Sequence, residues 1–124
     1  MRFDLVCRNI SDTVVGPEAD GTPRSAMNVG DVGRYSLNLS TGQYCARPCD
    51  NVNSIDRIES RKIVLAEGLK TSGPRRDVVK ILMQVNRATG LLEVEETNYV
   101  NRGTRSQRMS CTRAPFSCFL APKF

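Results

Sequence analysis

The residues with the widest choice of chemistry are five cysteines, Cys7, Cys45, Cys49, Cys111 and Cys118. Cys45-Ala46-Arg47-Pro48-Cys49 has a three-residue spacer, and six residues separate Cys111 from Cys118. Structural zinc sites favour two-residue spacers but accept up to about four, so Cys45, Cys49, Cys111 and Cys118 could be gathered round one ion, with Cys7 spare. A Cys45–Cys49 or Cys7–Cys111 disulfide is the second arrangement. Unligated thiols are the favoured one: an acid and a base stand at Asp4 and Arg2 where a secretory leader needs an unbroken apolar run, and reduced cysteine is the default without one. Cys7 and Cys111 also fall at alternating strand positions, where a buried thiol behaves as a small hydrophobe. A catalytic thiol needs a base or an electropositive pocket. Histidine, the commonest base and metal ligand, is absent. The expectation is no catalytic residue, no cofactor and no metal.

Carboxylates offer little more. Glu93 and Glu95 lie two apart and so on one face of a strand, with Glu96 on the other. A glycosidase pair needs carboxyl groups about 5–10 Å apart across a sugar cleft. The spacing allows that, but no aromatic platform accompanies it, and a solvated strand face explains the pattern better. No phosphate-binding glycine loop, metalloprotease helix or nucleophile elbow occurs. The chain reads as a non-enzyme.

Charge is the remaining signal. Net charge is +5, and all of it lies after Glu96: Arg102, Arg105, Arg108, Arg113 and Lys123 are unopposed there, while residues 1–96 hold thirteen basic and thirteen acidic side chains. Arg102-Gly103-Thr104-Arg105-Ser106-Gln107-Arg108 spaces arginines by three across a turn into a strand. Arg75-Arg76 would extend the patch if the two loops meet at one end of the fold. A surface that merely confers solubility is the plainest account of this patch; if it is used, Arg75, Arg76, Arg102, Arg105 and Arg108 are the expected partner-binding residues, since a guanidinium suits carboxylate and phosphate alike. An acidic protein partner ranks above nucleic acid, because sheet readers of nucleic acid add exposed aromatics and only Tyr99 lies nearby.

The elements that must position these groups are strands. Tyr35, Leu37 and Leu39 alternate with polar residues, and so do Val79, Ile81, Met83 and Val85. Gly42 and Gly90 sit where short hairpin loops need positive φ. The expected strands are 2–7, 33–40, 43–47, 53–58, 62–66, 77–86, 91–100 and 106–112; residues 53–62 alternate poorly either way and offer the one place for a turn of helix. Residues 8–32 read as a long polar loop with one short strand at 13–15, and 67–76 as a second loop. The tail 114–124, with Phe116, Phe119, Leu120 and Phe124, reads as packed across the body. The expected fold is all-β, one domain over 1–124: an antiparallel meander of about eight strands closing into a small barrel or sandwich. Closure would set the first strand beside the last and bring Cys7 near Cys111. No apolar run is long enough to span a bilayer as a helix, and the expected setting is soluble and cytoplasmic, with the oligomeric state open.

Phe3-x-Leu5-x-Cys7, Tyr35-x-Leu37-x-Leu39, Tyr44-Cys45-x-x-x-Cys49, Asn86-Arg87-x-Thr89-Gly90 and Cys111-x-x-x-Pro115-Phe116, in this order, resemble a set of small β proteins from bacteria and their phages. The resemblance spans most of the chain, apart from the 8–32 loop and Cys118. It implies a compact β domain and brings no activity, ligand or site residue with it. The resulting expectation is a small accessory protein or inhibitor that presents a basic face and loops to an acidic macromolecule. A nucleic-acid-binding protein and a lipocalin-like carrier of a small apolar ligand are the alternatives.

Overall fold

A computed structural model describes residues 1–16, 26–72 and 76–117. They form nine strands: β1 (Arg2–Val15), β2 (Val32–Asn38), β3 (Gln43–Ala46), β4 (Asn53–Ser54), β5 (Arg57–Ile58), β6 (Lys62–Ser72), β7 (Asp77–Asn86), β8 (Leu91–Asn98) and β9 (Thr104–Ala114). No helix occurs among the described residues. One antiparallel sheet runs in the order β4-β3-β2-β1-β9-β8-β7-β6-β5. Every neighbouring pair is consecutive in the chain except β1–β9, so this is a meander whose first strand lies beside its last. Its two edge strands, β4 and β5, are separated only by Ile55 and Asp56. The Ile55 N–H donates to the Gly42 carbonyl at 2.7 Å and the Asp56 N–H to the Val64 carbonyl at 3.0 Å. This two-residue link tethers one edge of the sheet to the other, and the sheet curls into a half barrel. The poor alternation of 53–58 has its cause here: its halves belong to opposite edges.

The concave side holds the core. Leu37, Ile63, Leu65, Leu92 and Met109 are fully buried there with Phe3, Leu5, Val85 and Val94. Burying a side chain of this size is worth roughly 1.5–3 kcal/mol. The regular alternation of β2 and β7 therefore holds as expected, with Tyr35 and Met83 packed against the same cluster. Gly90, at φ +75°, closes the β7–β8 turn, and its Cα lies so close to β9 that a Cβ would collide with the Cys111 carbonyl oxygen.

Three expectations need correcting. Residues 8–12 are not loop; with the expected strand at 13–15 they form the second half of β1, paired along β9 as far as Val15 with Thr104. Their polar side chains hid this, yet the polar groups are satisfied: Asn9 Nδ2 donates to the Met27 and Asn28 carbonyls at 3.3 and 3.1 Å, and Gln107 Nε2 to Asn9 Oδ1 at 3.3 Å. Likewise β6 continues through residues 67–72, paired with β7. Each extension follows a one-residue irregularity, at Ile10 in β1 and at Leu65 in β6. A bulge reverses which residues face inward beyond it.

The cysteines are the third correction. Cys7 and Cys111 face each other across the β1–β9 seam and are joined by a disulfide, as are Cys45 and Cys49. Unligated thiols are thus not what the fold contains, and Cys45, Cys49 and Cys111 are not thiolates available to zinc. Cys118 lies outside the described residues, as do Phe119, Leu120 and Phe124.

Residues 115–117 lie over the outer face of β1. Asp4 points outward there but is fully buried, because the Ser117 N–H and hydroxyl donate to its carboxylate at 3.0 and 2.6 Å and Arg34 Nε does so at 2.6 Å. Burial alone would raise its pKa. The hydrogen bonds from Ser117, Arg34 and Ser36 outweigh that and lower it from 3.8 to about 2.

Candidate functional site

The arginines expected to share one patch are divided among three environments. On β9 the buried residues are Gln107, Met109 and Cys111, so Arg105, two positions before Gln107, belongs to the concave side. The bulge at Ile10 turns Asp12 to the same side, and Arg105 grips it with Nε–Oδ1 at 3.0 Å and Nη2–Oδ2 at 2.7 Å. The Asp12 side chain is completely shielded, and it also accepts the Met27 N–H at 2.8 Å. Hydrogen bonding to Asp12 raises the Arg105 pKa against the lowering effect of burial, aided by the charges of Asp12 and Glu96. Arg105 is a fastening between the two seam strands and their loop, already committed to a carboxylate.

Arg76 and Arg102 do come together at one end. Both are exposed in tight turns, with left-handed φ of 56° and 61°. Their turns are adjacent because Val79 pairs with Asn98 and the Tyr99 N–H donates to the Val78 carbonyl at 3.0 Å. Asn98 Oδ1 accepts the Val100 and Asn101 N–H groups at 2.8 and 3.1 Å, which shapes the turn carrying Arg102. Arg108 is exposed on the convex face of β9, opposite Glu93 on β8 and Ser11 on β1. Arg75 lies outside the described residues. Glu93 and Glu95 also face outward, and Glu95 accepts the Ser106 hydroxyl at 2.7 Å. Glu96 turns inward, opposite Arg105.

Sequence reasoning missed the apolar part of this end. Leu69, Val78, Tyr99 and Val100 are 65%, 42%, 55% and 59% exposed. Lys80 lies among them, paired with Leu69 on one side and Thr97 on the other. The shift at Leu65 concealed the pattern: past it, Glu67, Leu69 and Thr71 face outward, so a leucine assigned to a loop stands on a strand's convex face. Exposed apolar side chains gathered beside cations are a feature that interaction surfaces share.

Beside it opens a cleft of about 430 Å³ between the two sheet edges. Tyr44, Asn53 and Ser54 line it from one edge and Lys70 and Thr71 from the other, with Leu65, Val79, Ile81 and Glu96 completing the lining. Asp56 spans the gap, accepting the Glu67 N–H at 2.7 Å and lying 3.5 Å from Lys70 Nζ. Burial, the charge of Asp56 and the neighbouring Tyr35 all raise the Tyr44 pKa, so its hydroxyl is a hydrogen-bonding group at neutral pH and not a nucleophile. No cluster of metal-ligating side chains occurs among the described residues.

No family model, curated protein or solved structure matches the chain. Function therefore has to be read from the surface itself.

Proposed function

We propose that the chain is a non-enzymatic binding protein whose acidic macromolecular partner docks on the convex face at the Arg76/Arg102 end. The observation that carries this reading is the exposed stripe of Leu69, Val78, Tyr99 and Val100 with Arg76, Lys80 and Arg102 round it. Apolar side chains supply the area and the cations supply selection and encounter rate. An accessory or inhibitory role follows from occupying such a partner. Two disulfides support a working place in an oxidising compartment in preference to the cytoplasm.

Two alternatives have less behind them. A carrier of an apolar ligand needs a hollow, dry interior, whereas Leu37, Ile63, Leu65, Leu92 and Met109 fill the middle of this one and the cleft above them sets the charged Asp56, Lys70 and Glu96 beside its apolar residues. Nucleic acid finds cations here but one exposed tyrosine only. The test is fluorescence anisotropy with a short glutamate-rich peptide and with single- and double-stranded oligonucleotides over a salt series. Wild type is compared with Arg76→Glu/Arg102→Glu. Binding of the acidic peptide that weakens with salt and is lost in the variant supports the reading. Equal binding by both proteins refutes it, and exclusive binding of oligonucleotides assigns the face to phosphate.

A further inference from the structure

β6 is eleven residues long, but β5 pairs only with its start, Arg57 with Val64 and Ile58 with Ile63. Beyond the irregularity at Leu65 the Glu67 N–H points away from β7 and is taken by Asp56. Backbone direction alternates every residue along a strand, so the N–H and C=O groups of Leu69 and Thr71 point out of the same edge. Among the described residues nothing pairs with them. Open edges of this kind are ordinarily covered or blunted, because they template the addition of another strand. Here the cleft lies directly alongside, and its far wall, Tyr44, Asn53 and Ser54, belongs to the other edge of the sheet.

We propose that the Glu67–Ser72 edge of β6 and the adjoining cleft bind an extended, acid-bearing peptide segment of the partner protein as an added strand. An extended chain is the ligand whose repeat matches outward N–H and C=O groups two residues apart, and a strand needs about 4.8 Å of lateral room. Its side chains would alternate between two surroundings. Those on the convex side meet Leu69, with Lys80 directly across and Arg76 at the end of the strand, which selects apolar and acidic residues. Those on the concave side enter the cleft beside Lys70 and the Tyr44 hydroxyl, where the limited volume and the carboxylates of Asp56 and Glu96 select short, uncharged polar ones. The cations of the convex side, Lys80 and Arg76, give the segment its charge preference, because Lys70 on the concave side is already paired with Asp56. This deepens the reading that an acidic partner docks here and rests on it.

The experiment selects octapeptides from a random display library on the intact, oxidised protein and measures a fluorescein-labelled synthetic copy of the strongest by anisotropy. Three proteins are compared: wild type, Thr71→Pro and Arg102→Glu. Proline at 71 removes one outward N–H that the sheet does not use, so folding tolerates it while an added strand does not. The expected result is an alternating, acid-rich consensus whose binding falls at least tenfold in Thr71→Pro and less than threefold in Arg102→Glu. In wild type alone, hydrogen exchange at the Leu69 and Thr71 amides should slow on adding peptide, which keeps the test valid should the proline variant misfold. Selection of no peptide, or of peptides that leave those amides unprotected, overturns the proposal. A self-associating wild type that Thr71→Pro renders monomeric would assign the edge to a second copy of the chain instead. A small molecule held in the cleft by native mass spectrometry, with no peptide binding, would also overturn it. Loss of binding in Arg102→Glu with none in Thr71→Pro would leave the docking face standing and remove the added strand.

Discussion

Replacing Arg105 by leucine should be among the most destabilising changes available on β9, although the residue looks from its spacing like part of a surface charge run. The substitution leaves the Asp12 carboxylate, wholly shielded from solvent, without the guanidinium that holds both its oxygens. Removing one partner of a buried ion pair costs about 3–5 kcal/mol, because the surviving charge cannot regain water. Arg105 keeps 27% of its side chain exposed, which places the expected loss near the lower bound, about 3 kcal/mol. For a domain of this length that lowers Tm by roughly 10–15 °C. The assay is urea unfolding at pH 7 followed by circular dichroism, with Arg102→Leu as an exposed control expected to change stability by less than about 0.5 kcal/mol. The double variant Asp12→Leu/Arg105→Leu should recover much of the loss, since no unpaired charge then remains buried. A loss below about 1 kcal/mol in Arg105→Leu, or a double variant weaker than the single one by the full cost of a second site, would refute the assignment of Arg105 to the interior. It would restore Arg105 to the surface patch.

Four further outcomes are expected. Asp4 titrates at about 2 in the folded chain against 3.8 as its ordinary value, so its contribution, about 2 kcal/mol, is present above pH 4 and is lost as pH falls toward 2; the stability gap between wild type and Asp4→Asn should close over that range in urea titrations, and a gap constant from pH 6 to pH 2 contradicts the buried cluster at Ser117. Maleimide labelling of the oxidised, denatured protein should add no more than one label, against five after reduction. The pair Cys7→Ala/Cys111→Ala should lose about 2–5 kcal/mol, as removal of a bridge between residues 104 apart predicts. Gly90→Ala should destabilise by more than about 1 kcal/mol, since both its φ and the Cys111 carbonyl exclude a Cβ; an unchanged midpoint would show that the turn can move away from β9.

What the sequence disclosed and what it hid divide at two residues. Where strands are regular, period two was sufficient: Leu37 and Val85 are buried where alternation put them, and the meander that sets β1 beside β9 also brings Cys7 to Cys111. At Ile10 and Leu65 an extra residue enters the strand, and alternation read from one side gives the wrong face on the other. That single displacement turns Asp12 inward to meet Arg105 and turns Leu69 outward onto the convex face. The inward direction of Arg105 was nevertheless legible, because Met109 and Cys111 fix the parity of β9. It was obscured by starting that strand at 106, whereas Thr104 already pairs with Val15 and Thr97. Hydropathy could not have found the rest. Residues 8–13 are mostly polar, and Asn9 and Asp12 bond to a neighbouring loop and strand; such satisfaction has no one-dimensional signature. The same displacement links the hidden fold to the proposed function. A regular β6 would carry its free N–H groups and its leucine differently, whereas the bulge at Leu65 points the N–H groups of Leu69 and Thr71 out of the open edge with their side chains on the convex face. The irregularity that defeats a sequence reading is therefore what gives the edge the face proposed to bind.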